Sequence, residues 1–187
     1  MAVLLSRIIK LIMSLILGVY IPSGAAITPI TLTNEKVFDA APIEQSDFAL
    51  DYNGKTYSIG GEASPFIQAI EQHTGTMNLI SCEACLYQGE DKEYSNDEIV
   101  IATIPAGRNG TDIIESVLVV GGEWETFRGI RAGSTLNDVM EAYGSECVVD
   151  WDQLIYSAGE LSVSPVIIFQ IEDDVVIAFY LYGNTQK

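Results

Sequence analysis

His73, the single histidine of this 187-residue chain, is the first candidate for catalytic chemistry. In a serine hydrolase, a histidine acts as the base for a serine that is held in a sharp turn. The sequence contains no Gly-x-Ser-x-Gly motif that would place such a serine. His73 falls near the end of a predicted helix, where the helix dipole favours a cation. We therefore predict a surface or helix-capping histidine and no hydrolase of this type.

Three cysteines, Cys82, Cys85 and Cys147, could form a disulfide or hold a metal ion. In an oxidising compartment, three cysteines favour one disulfide and one free thiol. Cys82 and Cys85 can pair only if the backbone turns between them, because residues three apart in a flat strand are separated by about 10 Å. A disulfide from either of them to Cys147 would instead join the two halves of the chain. Free structural thiols are a further alternative, and a zinc site completed by His73 is the least favoured.

Two acidic clusters are the remaining candidates for chemistry. Carboxylates are ligands that calcium prefers, but no D-x-[DN]-x-[DN]-G calcium loop is present, and turns between strands explain both clusters. We therefore expect no cofactor and no metal site. An acidic envelope-associated protein that binds divalent cations, and a carboxylate-dependent hydrolase, are the alternative functions. The clusters are Glu90, Asp91, Glu93, Asp97 and Glu98 in the first half, and Glu172, Asp173 and Asp174 in the second.

Aromatic residues near the C-terminus form a candidate binding patch. Residues 177–182 are predicted to be a strand, in which Tyr180 and Tyr182 point to the same face. If Trp151 and Tyr156 also lie on the side of the sheet away from the helices, the four residues would form a contact surface, since Tyr and Trp are enriched at interfaces. Packing in the core is the alternative, and it is favoured for most aromatic residues.

The elements that would position these residues form a repeat, whose first unit is residues 47–121. Residues 48–59 are two alternating runs around Asn53-Gly54, which is a strong hairpin signal. Pro65 then begins a predicted helix that Gly75 ends. Three strands are predicted to follow, near residues 77–87, 93–104 and 113–120.

The second unit, residues 122–187, repeats this order. Residues 126–130 are predicted to be extended, Gly133-Ser134 to cap a helix, and Gly144 to end it. Strands are predicted near residues 148–156, 164–170 and 175–182, with a tight turn at 172–174. Ser134 lies 70 residues after Ser64 (134 − 64). We therefore predict an α+β fold of two tandem units, each a short helix packed on a small antiparallel sheet, because one unit alone would leave apolar sheet uncovered.

The N-terminal residues indicate an exported protein. Residues 1–25 carry Arg7 and Lys10, then an apolar run, then small residues, which is the order of a secretory signal peptide. The run is short for a membrane span, which needs about 20 residues, although an uncleaved leader could serve as an anchor. Residues 26–46 are interpreted as a spacer that could contain an edge strand near 30–38. We therefore expect a secreted or extracytoplasmic protein that contacts a membrane only through an uncleaved leader.

The net charge of the chain narrows the range of partners that we expect. It has 9 basic and 26 acidic residues, for a net charge of −17, and removal of the leader leaves 7 basic residues (9 − 2) against the same acids. Such a field repels the phosphates of nucleic acids and anionic lipids. Nucleic acid is therefore excluded as an expected partner, whereas cations and basic proteins are favoured.

A resemblance to a known family adds to this interpretation. Residues 126–144, from Thr126-Phe127-Arg128-Gly129-Ile130 to Tyr143-Gly144, resemble the "rGI..Gs....V...yG" signature of small exported bacterial proteins with the β-lactamase-inhibitor-protein-like fold. Residues 85–94, 99–103 and 113–118 are similar to a companion pattern in uncharacterised Gram-positive secreted proteins. The resemblance covers most of the mature chain. It implies a tandem repeat with helices on one face of an antiparallel sheet and protein binding by the concave sheet.

Together, these features predict a non-catalytic, extracytoplasmic protein-binding module and not an enzyme. It would act through an exposed sheet face or a groove between the two units. The expected partner is another protein, in the cell envelope. Because one fold supports many functions, the resemblance by itself names no partner.

Overall fold

The structure, a computed structural model, describes residues 37–85 and 87–184. The leader and most of the spacer, including most of the predicted strand near 30–38, lie outside these residues. The described residues contain two α-helices, α1 (Ser64–Thr74) and α2 (Leu136–Tyr143), and two short 3-10 helices, Gln45–Asp47 and Arg108–Gly110. Their strands are β1 (Ala49–Tyr52), β2 (Lys55–Ser58), β3 (Asn78–Glu83), β4 (Glu90–Ser95), β5 (Ile99–Ile104), β6 (Ile113–Val119), β7 (Glu125–Thr126), β8 (Val148–Asp150), β9 (Gln153–Ser157), β10 (Val166–Glu172) and β11 (Val175–Tyr182). All strand pairings within the sheets are antiparallel, which confirms the predicted α+β class.

The first hairpin and α1 form where the sequence predicts them. Asn53 and Gly54 both adopt positive φ, which a tight hairpin turn requires, and they join β1 to β2. Pro65 occupies the first turn of α1, where its missing N–H would have no helical partner. Gly75 ends the helix with φ 89°, and its N–H donates to the Glu71 carbonyl. Phe66 and Ile70 on this helix are fully buried.

Helix α2 begins one residue later than the predicted cap. Its N-cap is Thr135, whose side chain accepts a hydrogen bond from the Asp138 N–H. Asp138 in turn accepts from the Thr135 N–H at 2.7 Å, which completes a capping box. Gly144 ends the helix with φ 84°. Val139, Met140 and Tyr143 face the core, as the helical spacing requires.

The described strands form a large sheet and a small one. The eight-stranded sheet has the order β3-β4-β5-β6-β11-β10-β9-β8, and the three-stranded sheet has the order β2-β1-β7. The large sheet is therefore symmetric in sequence order about the β6–β11 pair. The small sheet crosses the predicted unit boundary, because β7 of the second half pairs with β1 of the first. The large sheet also crosses the boundary, because β6 of the first half pairs with β11 of the second half.

Two predicted strands are each divided in two, and these predictions were wrong. Residues 93–104 hold the end of β4 and all of β5, separated by a turn in which the Asn96 side chain accepts hydrogen bonds from two backbone N–H groups. Residues 148–156 hold β8 and most of β9, separated by Trp151 and Asp152. A three-residue turn, residues 96–98, and a two-residue turn, residues 151–152, reverse the chain at these places. Each half therefore contributes four strands to the large sheet.

Both helices pack against the same face of the large sheet. One cluster of buried residues includes Phe66 of α1 and Tyr143 of α2 together with strand residues such as Ile101, Ile167 and Tyr156. Ile101 and Ile167 lie in one register row, which runs from β3 through every strand to β9. We call this side the helix face and the other side of the sheet the distal face. A single core is therefore shared by both halves.

Arg128 connects the N-terminal described segment to α2. Its guanidinium makes two hydrogen bonds to Asp47, at 2.6 and 2.7 Å. It also donates to the carbonyls of Ala41, Pro42 and Ala142, and it lies over the Tyr143 ring. All five donors of the side chain are thus used. The described end of the spacer, residues 37–46, is docked against the second half and not extended away from it.

Candidate functional site

The distal face carries a second, smaller apolar cluster. Its buried members are Leu118, Val166, Ile168, Ala178 and Tyr180. Among the described residues, every member comes from a strand of the large sheet or directly follows one. Leu118, Ile168 and Tyr180 occupy one register row, and the row ends at Val148 on the β8 edge. The centre of the distal face is closely packed, since these three side chains are 6 to 8% exposed.

Tyr180 and Tyr182 both lie on the distal face, and the strand alternation predicted that they would share one face. Their rings are stacked at 6.2 Å with an interplanar angle of 8°. Tyr180 is buried, whereas Tyr182 is partly exposed at the end of β11. Burial raises the pKa of Tyr180 to about 12, so its hydroxyl remains a hydrogen-bond donor at physiological pH. These two members of the candidate patch are brought together.

Trp151 is the exposed member of the patch. It is 62% exposed at the first position of the two-residue turn between β8 and β9. Its φ is 54°, a conformation that glycine, asparagine or aspartate usually supplies in such turns. The other two-residue hairpin turns described here follow that rule, with Asn53 and Asp173 at the same position. A bulky residue with positive φ is a backbone outlier, so local folding does not explain why a tryptophan stands at this position.

Tyr156 does not belong to the distal face, and its inclusion in the patch was wrong. It is in register with Ile167 on the helix face and is 1% exposed. Its hydroxyl donates to the carbonyl of Gly144, at the end of α2, at 2.9 Å. Adjacent strand residues alternate between faces, so Ile155 faces the distal side instead. On the distal face, the row at the β8 edge thus ends with Ile155 and Val148.

The charge of the distal face is negative. Lys92 is the one lysine or arginine in the described strands of the large sheet, and its register with Ile114 places it on the helix face. Glu93 is in register with Ala102 and therefore lies on the distal face. Asp152 follows Trp151, and burial, together with the charges of Asp150 and Glu172, raises the pKa of its carboxyl. An acidic rim therefore surrounds an apolar strip.

The three cysteines are unpaired, and all three lie in the described residues. Cys82 and Cys85 are exposed at the end of β3 and in the bend after it, whereas Cys147 precedes β8. Strands β3 and β8 are opposite edges of the sheet, separated by about 34 Å if seven spacings of about 4.8 Å are summed. Within one chain, the sheet therefore places Cys147 beyond disulfide reach of Cys82 and Cys85.

The structure places the members of the first acidic cluster at the two ends of β4. The first cluster is divided, because Asp91 pairs with Cys82 at one end of β4 while Asp97 and Glu98 lie in the turn at the other end. Within residues 37–85 and 87–184, no three His, Cys, Asp or Glu side chains are placed to share a metal ion. A shallow cleft of about 320 Å³ does bring Asp51, Glu123 and Glu125 together. There Asp51 accepts a hydrogen bond from Thr56, and Glu125 lies 3.7 Å from Arg131.

A larger cleft lies between the first hairpin and α1. Its volume is about 470 Å³, and it is lined by Tyr52, Lys55, Tyr57, Gln68, Gln72 and His73 among others. His73 is exposed in the last turn of α1, as predicted, but its ring also contacts Tyr52 edge-on at 5.4 Å. In the sequence, only the adjacency of the hairpin and the helix indicates that these elements could form a cleft. Only the tertiary packing brings Lys55 beside the histidine.

Comparisons with protein families, curated proteins and solved structures found no match to this chain. Among the described residues, neither helix has the length and apolar character needed to cross a membrane. Function is therefore inferred from the geometry of this chain alone.

Proposed function

We propose that this protein is a non-catalytic binding module that docks a basic protein segment at the β8 corner of its distal face. Trp151 is the observation that carries this proposal. It exposes most of a large aromatic ring at a backbone position that suits glycine. Tryptophan is the residue most enriched among the energetic centres of protein interfaces, so a binding role explains what local folding does not.

The edge strand β8 extends the contact surface beyond Trp151. Its outer side has no strand partner among the described residues, so its backbone N–H and C=O groups are available for strand addition. Val148 is 47% exposed and Val149 is 38% exposed, and they point to opposite faces of the sheet. A partner strand placed along β8 would therefore cover apolar groups on both sides.

The charges around this corner favour a basic partner. Asp150 and Asp152 flank Trp151, and the repulsion between their carboxylates and Glu172 contributes to the raised pKa of Asp152. A lysine or arginine of the partner would relieve that repulsion. The side-chain carbonyl of Gln153 is buried and has no hydrogen-bond partner among the described residues, so it could accept one more hydrogen bond. A segment with alternating apolar and basic residues meets these requirements.

The test is affinity capture from the envelope fraction of the producing cells, followed by quantitative binding of each captured protein to purified variants. Trp151→Gly removes the ring and also suits the turn, so its melting temperature should equal or exceed that of the wild type. Phe127→Ala is the matched control, since it removes a 44% exposed aromatic ring outside this corner. We expect Trp151→Gly to weaken binding of a basic partner by about tenfold or more, and Phe127→Ala to leave it unchanged.

Other results would contradict the proposal. If captured proteins bind Trp151→Gly as tightly as the wild type, the corner is not the contact surface. If both variants weaken binding equally, the effect reflects general loss of surface aromatics. A partner that is acidic, and binds more tightly at higher ionic strength, would exclude the electrostatic part of the proposal.

The symmetric strand order supports the finer proposal of two tandem units with the β-lactamase-inhibitor-protein-like arrangement. In each half, a helix precedes four strands, and the two sets of four meet at the β6–β11 pair. The hairpin β1–β2 has no counterpart between residues 122 and 184. An experimental structure in which α1 superposes on α2 together with the four following strands would support this proposal. Halves that superpose only over single hairpins would overturn it.

Export to an extracytoplasmic compartment is also proposed, on the order of charges and apolar residues in the leader. The test is mass spectrometry of the protein recovered from culture medium and membranes. A mature N-terminus near residue 26, in the medium, supports cleavage and secretion. Recovery of the intact chain from the cytoplasm would contradict the proposal.

A further inference from the structure

The cleft between the first hairpin and α1 has a chemistry that differs from the rest of the surface. The protein has 26 acidic residues, yet no Asp or Glu is among the described residues that line this cleft. Its polar groups are instead an ammonium, an imidazole, side-chain amides and tyrosine hydroxyls, and the Tyr57 ring forms part of its wall. A site with this donor set suits an anion that also carries an apolar group.

Lys55 is available for a ligand. Of the five Lys and Arg residues in the described part of the chain, Lys92, Arg128 and Arg131 each lie within 4 Å of a carboxylate, whereas Lys55 does not. Its ammonium lies 4.9 Å from the centre of the Tyr57 ring, on the side of the hairpin that faces α1. A cation over an aromatic face is stabilised there but keeps its capacity for hydrogen bonds. Lys55 therefore presents an uncompensated positive charge to the cleft.

Tyr52 supplies a second, independent indication. The residue is 6% exposed, and its hydroxyl has no hydrogen-bond partner of standard geometry among the described residues. Tyr52 is the cross-strand neighbour of Lys55, so both side chains project from the same face of the hairpin. An unpartnered buried hydroxyl is costly to a fold. An acceptor atom of a ligand in the adjacent cleft would satisfy this hydroxyl.

Burial raises the pKa of Tyr52, the neighbouring Asn53 side chain offsets part of this rise, and the charges of Glu123 and Glu98 raise the pKa further. The hydroxyl therefore stays protonated and can donate throughout the physiological range. His73, whose ring contacts Tyr52, forms the other side of the same corner of the cleft.

We propose that this cleft binds a carboxylate attached to an apolar or aromatic group, with Lys55 and Tyr52 as donors to the carboxylate. The apolar group would lie between Tyr57 and the exposed side of α1 at Pro65 and Ala69. This site is separate from the β8 corner, because its lining comes from β1, β2 and α1. It would allow the protein to recognise an acidic small molecule or the free C-terminus of a peptide.

Nuclear magnetic resonance offers a direct test, because His73 is the single histidine of the chain and gives one set of imidazole signals. The purified protein is titrated with N-acetyl-L-phenylalanine and, separately, with N-acetyl-L-phenylalaninamide, which lacks the carboxylate. We expect the imidazole signals to shift and saturate with the acid and not with the amide. A titration with acetyl-Gly-Phe then shows whether a peptide C-terminus binds more tightly than the single amino acid.

Two variants and one control separate binding from folding. Lys55→Gln should weaken binding of the acid by about tenfold, and Tyr52→Phe should weaken it by about fivefold, since each removes one donor. Arg108→Gln is the control, because it also removes one exposed, unpaired positive charge but lies outside the cleft. Tyr52→Phe should unfold at the same temperature as the wild type or higher in the absence of ligand, because it removes an unsatisfied group.

The proposal is overturned if the acid and the amide shift the His73 signals equally, or if neither does. It is also overturned if Lys55→Gln and Arg108→Gln weaken binding to the same extent, because the effect would then be one of net charge. A Tyr52→Phe variant that unfolds at a lower temperature without ligand would show that the hydroxyl has a structural partner instead.

Discussion

The two halves of the large sheet contribute four strands each but are buried to different degrees. Strand β10, in the second half, is buried at its first six positions. Strand β5, which has the matching place in the strand order of the first half, alternates between buried and partly exposed residues over its first four positions. The outer strand β3 is exposed at all six positions. The difference arises because β10 carries the helix-face core on one side and the distal apolar cluster on the other. We call the second half the anchor, because its part of the large sheet is buried more fully. The first half contains the open cleft between the β1–β2 hairpin and α1.

The largest expected effect on the free energy of unfolding comes from breaking the ion pair between Asp47 and Arg128. This pair joins the N-terminal described segment to the anchor. Arg128 and Asp47 have side chains that are 15% and 3% exposed, and Arg128 also serves three carbonyls. Arg128→Met should destabilise the protein by about 3–5 kcal/mol, because it leaves a buried carboxylate without its partner. Urea unfolding measures this free energy of unfolding.

Lys92 and Asp112 provide the comparison in the first half. This pair is single, at 2.7 Å, and its side chains are 26% and 21% exposed. Lys92→Met should therefore cost no more than about 1 kcal/mol. Arg128→Lys should recover little of the loss, because an ammonium cannot reproduce the planar fork that serves Asp47. Equal costs for the two methionine variants would contradict the assignment of the second half as the anchor.

A single row of the sheet gives the next comparison. Leu79 on β3 and Ile167 on β10 belong to the same register row of the helix face, but Leu79 is 55% exposed and Ile167 is fully buried. Ile167→Ala should cost about 2–5 kcal/mol through lost burial and the cavity that remains. Leu79→Ala should change stability by less than about 0.5 kcal/mol. Chemical denaturation of both variants tests the expectation that the core ends before β3. A loss of unfolding free energy for Leu79→Ala close to that for Ile167→Ala would contradict this expectation.

Local signals in the sequence predicted much of this architecture. The hairpin at Asn53-Gly54 and the ends of both helices at Gly75 and Gly144 followed from positions that need positive φ, which few other residues adopt easily. The turn at residues 172–174 followed from its acidic residues, which tolerate the same conformation. These elements could be predicted because their determinants are adjacent in the chain.

Features that depend on tertiary packing could not be predicted. The turn after β8 was missed because Trp151 stands where glycine, asparagine or aspartate is expected. Tyr156 was assigned to the wrong face because Leu154 and Ile155 are both apolar, so alternation did not identify the side covered by α2. The pairing of Arg128 with Asp47 spans 81 residues, and nothing local indicated it.

The two halves also differ in how a buried tyrosine hydroxyl is satisfied, and the expected effect on stability is smaller. In the second half, the Tyr156 hydroxyl donates to the Gly144 carbonyl, whereas in the first half the Tyr52 hydroxyl has no described partner. Tyr156→Phe should cost about 1–2 kcal/mol, because the end of α2 loses a buried hydrogen bond. Tyr52→Phe should cost nothing in ligand-free protein. Thermal unfolding of both variants checks the pair, and a loss in Tyr52→Phe equal to that in Tyr156→Phe would contradict the comparison.

The smallest expected effect concerns how the two helices begin. Helix α2 has the capping box of Thr135 and Asp138, whereas α1 has no side-chain cap and begins with a proline in its first turn. Hydrogen bonds from the Thr135 N–H and, secondly, its hydroxyl lower the pKa of Asp138. Because the folded pKa lies below the unfolded value of about 3.9, this carboxylate stabilises α2 above that pH. The stabilisation is lost as the pH falls through the folded pKa.

Asp138→Asn should therefore lower the melting temperature slightly at pH 6, and the difference from the wild type should disappear as the pH falls below about 4. Glu71→Gln is the matched control, since it removes one carboxylate from α1, near the end where the helix dipole disfavours an anion. It should leave the melting temperature unchanged or raise it. A difference for Asp138→Asn that persists unchanged into acid would mean that the capping carboxylate does not distinguish α2 from α1.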